Sequence, residues 1–192
     1  MNAPECLLCE SRRSALIRVA ASCVTIDGDF VECGVYKGGS AFILSQILDF
    51  CVSYKRLHLF DSFAGCSAPD EADGGCLSKG CLRADEIEVR NTFGPDERIQ
   101  FHAGYVENTV GELPSAIAFA HIDLDLYGPT KLCLASVAQR LQPGGAMVVD
   151  DYSPRWPGCK AAVDEFLCGG LLKGWKPKLI PGFPDNAIIL TR

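Results

Sequence analysis

Acidic residues recur where apolar, strand-like runs of this chain end. They are Glu32, Asp61, Asp123 and the adjacent pair Asp150 and Asp151. In an open parallel α/β sheet, ligands bind outside the carboxyl ends of the strands, so carboxylates repeated there are placed to hold a ligand or metal ion. Helix capping is the alternative, and it would account for Asp61 followed by Ser62. It accounts poorly for the adjacent pair, because a second acid adds charge that a divalent cation would offset.

The acids after the fourth and fifth strand-like runs have the composition of a magnesium site. Asp123 ends one run and Asp125 follows two positions later, while Asp150 and Asp151 end the next run. Asp123, Asp150 and Asp151 would form a set of three oxygen ligands. Hard oxygen donors without a soft ligand favour Mg²⁺, with Mn²⁺ or Ca²⁺ as substitutes. His121 lies inside an apolar run and is interpreted as a core histidine rather than a ligand or base.

A glycine-bearing turn follows the first acid. Residues 31–40 have the pattern of a strand that enters a turn holding Gly34, Gly38 and Gly39, and then a helix with Ser40 as its expected N-cap. Glycine lets a ligand approach the backbone, and the amides at a helix start suit a carboxylate or phosphate. A tight β–α turn without a ligand is the alternative.

Asp61 ends the next strand, at the position where doubly wound proteins bind ribose hydroxyls. This placement favours an adenosine-containing cofactor, and either NAD or S-adenosylmethionine satisfies it. The turn is neither G-x-G-x-x-G nor a Walker loop. A capped loop is again the alternative.

Hydrophobic periodicity indicates which elements position these residues. It predicts helices at 11–24, 40–51, 106–113, 128–141 and 160–167, and strands at 30–35, 57–60, 99–103, 117–122, 146–149, 177–180 and 187–190. Residues 142–145 are expected to form the turn before the fifth strand. The alternation predicts an α/β fold with a doubly wound sheet and a C-terminal pair of strands. Residues 62–90 are Gly-, Asp- and Cys-rich and too long for a simple connection, which predicts an active-site lid.

Composition limits the classes of protein. A chain of 192 residues with 48% hydrophobic content predicts one globular domain spanning residues 1–192. The net charge of -6 and the pI near 5.0 argue against nucleic acid or an anionic membrane as the main partner. No apolar stretch reaches the roughly 18 residues of a membrane span, and residues 1–10 lack a signal-peptide pattern, so a cytoplasmic location is expected.

The eleven cysteines are expected to be reduced and to act mainly as small hydrophobic residues. Those assigned to this role are Cys33, Cys51, Cys133 and Cys168. Cys6 and Cys9 have the spacing of half a zinc site, but no second Cys-x-x-Cys pair follows. Zinc is therefore not expected.

Six ordered segments resemble the macrocin-type O-methyltransferases, the TylF/MycF-like group of bacterial natural-product enzymes. They are GDFVECGVYKGGS at 28–40, LFDSFAG at 59–65, GYVENT at 104–109, DLDLY at 123–127, GGAMVVDDY at 144–152 and GCKAAVDEF at 158–166. No single segment identifies the family, and the resemblance rests on their joint order and spacing. It implies a Rossmann-like class I methyltransferase sheet and a reaction that uses S-adenosylmethionine and magnesium.

The resemblance also assigns roles to individual residues. The methionine end of the cofactor would lie at Glu32 and at the turn formed by Gly34, Val35, Tyr36, Lys37, Gly38, Gly39 and Ser40. The ribose would be held at Asp61, Ser62 and Phe63, and the adenine near Gly104 and Tyr105. The metal would be coordinated by Asp123, Asp150 and Asp151, and Asp123 would also accept the proton in catalysis.

The implied acceptor is a small hydroxylated molecule, a sugar or natural product, and a homodimer is expected by analogy. Two other functions fit the same topology. A nicotinamide-dependent oxidoreductase should carry G-x-G-x-x-G after the first strand, which is missing here. A non-catalytic ligand-binding protein could keep the fold, but the intact acids argue against it. The cysteine-rich residues 66–81 depart from the family pattern and leave the acceptor undefined.

Overall fold

The computed structural model describes residues 4–75, 77–169, 175–182 and 185–191. The strands are β1 Asp29–Cys33, β2 Leu57–Asp61, β3 Ile99–Ala103, β4 Ile117–Ile122, β5 Leu141–Val149, β6 Lys176–Ile180 and β7 Ala187–Thr191. The helices are α1 Glu10–Ser22, α2 Gly39–Phe50, α3 Glu86–Phe93, α4 Val106–Thr109, α5 Tyr127–Ala138 and α6 Pro157–Cys168. Short 3₁₀ turns lie at Glu71–Asp73 and Val110–Glu112.

All seven strands join one sheet in the order β3-β2-β1-β4-β5-β7-β6. Strands β1 to β5 pair in parallel, and β7 runs antiparallel between β5 and β6. The predicted doubly wound sheet with a C-terminal antiparallel pair is therefore confirmed. The strand order changes direction between β1 and β4, which places a ligand crevice at their carboxyl ends.

The sheet is buried on both faces, as its apolar strands predict. Successive strand side chains point to opposite faces, so Phe30 packs in one core cluster and Val31 in the other. The first cluster includes Leu16 of α1 and Leu44 of α2. The second includes Leu134 of α5 and residues of α6. These two helical layers fix the strand ends that form the site.

Three local predictions were wrong. Helix α2 begins at Gly39 with Gly38 as its N-cap, so Ser40 lies inside the first turn; Gly38 has φ +84, a conformation that glycine adopts without strain. Residues 142–145 belong to β5, because the strand begins at Leu141, which pairs with Ile117. The apolar rows of residues 40–51, one of which contains Phe50, also predict a helix buried on most of its circumference, but Phe50 is 90% exposed at the end of the helix.

The cysteine prediction holds only in part. Cys33 and Cys133 are buried in the core, whereas Cys51 and Cys168 are exposed at or beyond helix ends. All cysteines in the described part of the chain are free thiols. Cys76 lies outside the described residues. Among those residues, no helix has both the length and the apolar character to cross a membrane.

Candidate active site

A cavity of about 270 Å³ lies at the carboxyl ends of the strands. The predicted site residues that line it are Gly34, Tyr36, Asp61, Ser62, Gly104, Tyr105, Asp123, Asp150 and Asp151. The predicted cofactor residues outside this lining are Glu32, Val35, Lys37, Gly38, Gly39, Ser40 and Phe63. The structure therefore brings the strand-tip acids other than Glu32 together with the first part of the glycine turn.

The turn after β1 approaches the end of β4 closely. Gly34 has φ +92, and a Cβ at this position would lie 1.7 Å from the backbone oxygen of Asp123. Only glycine permits this approach. The turn thereby places the backbone of residues 34–36 beside the acids that follow β4.

Asp61 holds the same turn from the β2 side. Its Oδ2 accepts hydrogen bonds from the backbone N–H groups of Val35 and Tyr36 at 2.7 and 2.8 Å. Its Oδ1 accepts one from the N–H of Phe63 at 2.7 Å. Asp61 therefore caps the loop that follows β2, as in the capped-loop alternative, and it also lines the cavity.

The start of α2 lies under the N-terminal segment. A Cβ at Gly39 would lie 2.2 Å from the backbone oxygen of Glu5, and the Lys37 ammonium pairs with the Glu5 carboxylate at 2.8 Å. Gly38 packs beside Val89 of α3. The part of the turn that lines the cavity is therefore Gly34 and Tyr36, not the helix start.

Glu32 lies beneath the cavity in a buried pair with His121. The His121 Nδ1–H donates to Glu32 Oε1 at 2.7 Å, and both side chains are almost completely buried. Burial lowers the pKa of His121, but the hydrogen bond and charge of Glu32 outweigh it and raise this pKa to about 9. His121 is a core histidine, as the sequence indicated.

Four carboxylates converge at the ends of β4 and β5, and we call them the acid cluster. They are Asp123, Asp125, Asp150 and Asp151, and all four line the cavity. Asp125 and Asp151 have φ angles of 61° and 56°, a left-handed conformation that Asp tolerates better than most residues. The backbone after each strand thus turns these acids into the crevice.

Burial and mutual repulsion raise the pKa values of three residues of the acid cluster. Burial, followed by the charges of Asp123 and Asp150, raises the pKa of Asp151 to about 8. Burial and Asp150 raise the pKa of Asp123 well above its usual range, and burial and Asp151 do the same for Asp125. The ionised cluster therefore requires compensating positive charge.

The donor atoms of the acid cluster suit a hard cation. Ligand atoms of Asp123, Asp125 and Asp151 lie within 4.8 Å of one another, and a second such group joins His121, Asp123 and Asp150. Asp150 Oδ2 is buried and has no hydrogen-bond partner in the described chain. Asp125 was not among the predicted ligands, although its Asp-x-Asp spacing from Asp123 was visible in the sequence.

Arg12 is a further residue that sequence reasoning missed. This side chain from α1 lies buried beside the acid cluster, with Nη1 2.6 Å from Asp150 Oδ1 and 3.2 Å from Asp151 Oδ1. Burial lowers the pKa of Arg12, but the charge and hydrogen bond of Asp150 outweigh this effect and raise it. A single arginine 138 residues away along the chain gives no sequence signal of this contact.

The predicted lid segment forms one wall of the cavity through Gly65, Cys66 and Leu77. Its middle is fixed to the domain, because buried Asp73 Oδ1 accepts a hydrogen bond from the N–H of Tyr127 at 2.7 Å. The segment ends in α3, which begins at Glu86. The opening of this wall remains a prediction.

The chain matches known proteins over most of its length. Residues 9–169 match a family model described as Macrocin-O-methyltransferase (TylF). Demethyldecarbamoylnovobiocin O-methyltransferase of Streptomyces niveus is 32% identical over 156 residues, which are 73% of this chain and 58% of that protein. The 8-demethyl-8-(2,3-dimethoxy-alpha-L-rhamnosyl)-tetracenomycin-C 4'-O-methyltransferase of Streptomyces olivaceus is 29% identical over 155 residues, again 73% and 58% of the two chains. The matched region thus spans little more than half the length of these curated relatives.

The solved structure of the O-methyltransferase NovP has the same fold. It superposes with a TM-score of 0.82 at 26% sequence identity and covers 95% of this chain and 79% of NovP. The likeness therefore extends over more of this chain than the residues that the family model matches.

Proposed function

This chain belongs to the macrocin-O-methyltransferase (TylF) family, and we propose that it transfers the methyl group of S-adenosylmethionine to a hydroxyl of a small molecule, with Mg²⁺ held by the acid cluster. The observation that carries the proposal is the meeting of two features at one cavity. The glycine turn at Gly34 and the carboxylates after β4 and β5 line the same crevice. A methyltransferase needs its cofactor and its acceptor oxygen side by side.

The cofactor side of the cavity would be formed by Gly34, Tyr36, Asp61, Gly104 and Tyr105. A carboxylate has about four acceptor positions, and Asp61 uses three of them on backbone N–H groups. One position is left for a ribose hydroxyl. Glu32 and residues 37–40 would act from beneath or beside the turn by fixing its shape.

The acid cluster fits the magnesium ion that the family implies. The predicted ligands Asp123, Asp150 and Asp151 would hold it, with Asp125 as a further oxygen donor. The ligand atoms of Asp125 group with those of Asp123 and Asp151, whereas those of Asp150 group with Asp123 and His121. The unpartnered oxygen of Asp150 and the raised pKa values of Asp123 and Asp151 support a cation at this position. When bound, S-adenosylmethionine supplies an electrophilic methyl group and Mg²⁺ supplies charge that favours the acceptor oxyanion.

The side chains perform the other steps. Asp123 lies against the Gly34 turn, so it is placed to accept the proton of an acceptor hydroxyl beside the cofactor. The wall formed by Gly65, Cys66 and Leu77 would limit the entry of competing water.

A sugar hydroxyl is the acceptor class that we propose. The relative from Streptomyces olivaceus is named for methylation at a rhamnosyl group. The cavity wall beside the acid cluster includes Leu124, Leu126, Pro129 and Trp156, an apolar surface with an aromatic ring. Trp156 Nε1 has no hydrogen-bond partner among the described residues and can donate to a sugar oxygen.

Two measurements test the proposal. Titration calorimetry should detect S-adenosylmethionine binding and no NAD binding, and a tritiated methyl group should pass from the cofactor to rhamnosides such as TDP-rhamnose when Mg²⁺ is present. Binding of NAD without S-adenosylmethionine would support the oxidoreductase alternative, which no observation favours. Cofactor binding with no transfer to any sugar would reject the acceptor class, and full transfer after thorough chelation would reject the metal.

A further inference from the structure

Arg12 links the first helix to the tip of β5. Its Nη1 contacts Oδ1 of Asp150 at 2.6 Å and Oδ1 of Asp151 at 3.2 Å, so one guanidinium nitrogen bridges two consecutive carboxylates. Only 9% of the Arg12 surface is exposed. A charged side chain buried to this degree requires its partners, since either charge alone would be costly to desolvate.

The loop between β6 and β7 packs against the stem of Arg12. A Cβ added to Gly182 would lie 3.2 Å from Arg12 Cγ and 2.2 Å from the backbone oxygen of Asp185. This glycine lets the loop pass close to the arginine. Arg12 is therefore confined between the loop and the acids, and its guanidinium has a defined position.

The two oxygens of Asp150 have different environments. Oδ1 accepts the short hydrogen bond from Arg12, whereas Oδ2 is buried without a partner among the described residues. Asp150 as a whole is 2% exposed. An unpartnered carboxylate oxygen at this depth is costly unless another group binds it.

The charges around the acid cluster leave room for both Arg12 and a divalent cation. His121 pairs with Glu32, and its charge also lowers the pKa of Asp123, so it offsets part of the charge of the acid cluster from the β4 side. Arg12 supplies one positive charge to a cluster of four carboxylates. A cation can therefore bind without displacing Arg12.

We propose that Arg12 is a positioning residue of the cation site: it fixes Asp150 and Asp151 through their Oδ1 atoms and leaves Asp150 Oδ2 for a divalent cation. Partners that hydrogen-bond a ligating carboxylate orient it and support its affinity for metal. The inference rests on the magnesium site of the proposed function. The opposite role, in which Arg12 competes with the cation for the acids, predicts an effect of opposite sign.

Manganese binding distinguishes these roles without any methyl acceptor. Free Mn²⁺ is counted by electron paramagnetic resonance during titration of the parent, Arg12→Gln, Arg12→Lys and Arg13→Gln, the last being a control at an exposed neighbour on α1. We expect Arg12→Gln to weaken Mn²⁺ binding about 10- to 100-fold, and Arg12→Lys to weaken it less. Arg13→Gln should match the parent.

Each outcome has one interpretation. No Mn²⁺ binding by the parent would reject the metal of the proposed function. Parent binding with equal or tighter binding by both Arg12 variants would overturn the positioning role and leave the metal site intact. Thermal unfolding in chelator checks that the variants are folded, and Arg12→Lys keeps the charge and so tests the geometry if Arg12→Gln does not fold.

Discussion

The carboxylates at the two sides of the crevice have the same topological position but different surroundings. On the β2 side, Asp61 is satisfied by three backbone N–H groups of its own and the neighbouring turn. On the β4 and β5 side, four carboxylates face one another, and Arg12 pairs with two of them, Asp150 and Asp151. Asp61 stabilises the local backbone, whereas the carboxylates of the acid cluster repel one another.

This difference separates a structural role from the cation-binding role that we propose, within one residue type. A carboxylate that accepts backbone hydrogen bonds contributes to folding without any ligand. Carboxylates that raise one another's pKa oppose folding until a cation or proton arrives. Replacing acids on the two sides should therefore change activity, binding and stability in different ways.

The largest effect is expected on turnover at Asp123. The Asp123→Asn variant should lose activity by about 10²- to 10⁴-fold, because the proton acceptor and one oxygen ligand are both impaired. Cofactor affinity should change little, since the turn that would hold the cofactor is fixed by Asp61 and not by the Asp123 carboxylate. Initial rates with a methyl acceptor and calorimetry with S-adenosylmethionine measure the two quantities, and nearly full activity would assign Asp123 a structural role.

The next effect is expected on cofactor binding at Asp61. Asp61→Ala should weaken S-adenosylmethionine binding by about 1.5–3 kcal/mol, since the ribose loses a charged acceptor and the turn loses its backbone partner. Exposed Glu97→Ala serves as the control variant. Equal affinity in the Asp61 variant and the parent would remove Asp61 from the cofactor site.

Removal of the Asp151 charge should increase the stability of the metal-free protein, whereas the two preceding substitutions cause a loss of activity or binding. Because its pKa in the folded protein is raised to about 8, parent stability in chelator should fall as pH rises from about 4 through 8. Asp151→Asn should therefore stabilise the metal-free protein at pH 8 by roughly 1–3 kcal/mol, and asparagine also tolerates the left-handed backbone there. Chemical unfolding at pH 5 and pH 8 measures this, and a variant less stable than the parent at pH 8 would contradict it.

The smallest effect is expected in the wall formed by residues 62–90. Lys79 and Arg83 are exposed beside the cavity-lining part of this segment, so trypsin should cut there in the free protein. Bound S-adenosylmethionine should slow these cuts several-fold, whereas Asp73 keeps the preceding residues fixed in both states. Mass spectrometry follows the cleavage rates. Rates that do not change when the cofactor is bound would identify an ordinary surface loop.

The local pattern was sufficient to predict the elements and the placement of most strand-tip acids. The apolar runs that end at Asp61, Asp123 and Asp150 become β2, β4 and β5 of one sheet, and parallel strands bring their carboxyl ends to one edge. The roles of the other site residues were predicted from the order of the family segments. These residues extend from the turn at 34–36 to Asp150 and Asp151 at the end of β5. The wrong boundaries lie at glycines, which usually occur in turns and were therefore predicted outside the helix or strand. Gly39 instead begins α2, and residues 144–145 belong to β5.

The tertiary structure alone decided which partner each acid has. Asp61 meets the amides of a turn 25 and 26 residues away, Glu32 meets His121 beneath the cavity, and Arg12 crosses from α1 to Asp150. No periodicity encodes these contacts, because each depends on packing between elements distant in sequence. The sequence by itself determined that acids gather at the crevice, and packing determined which of them are satisfied by other groups of the protein and which repel one another.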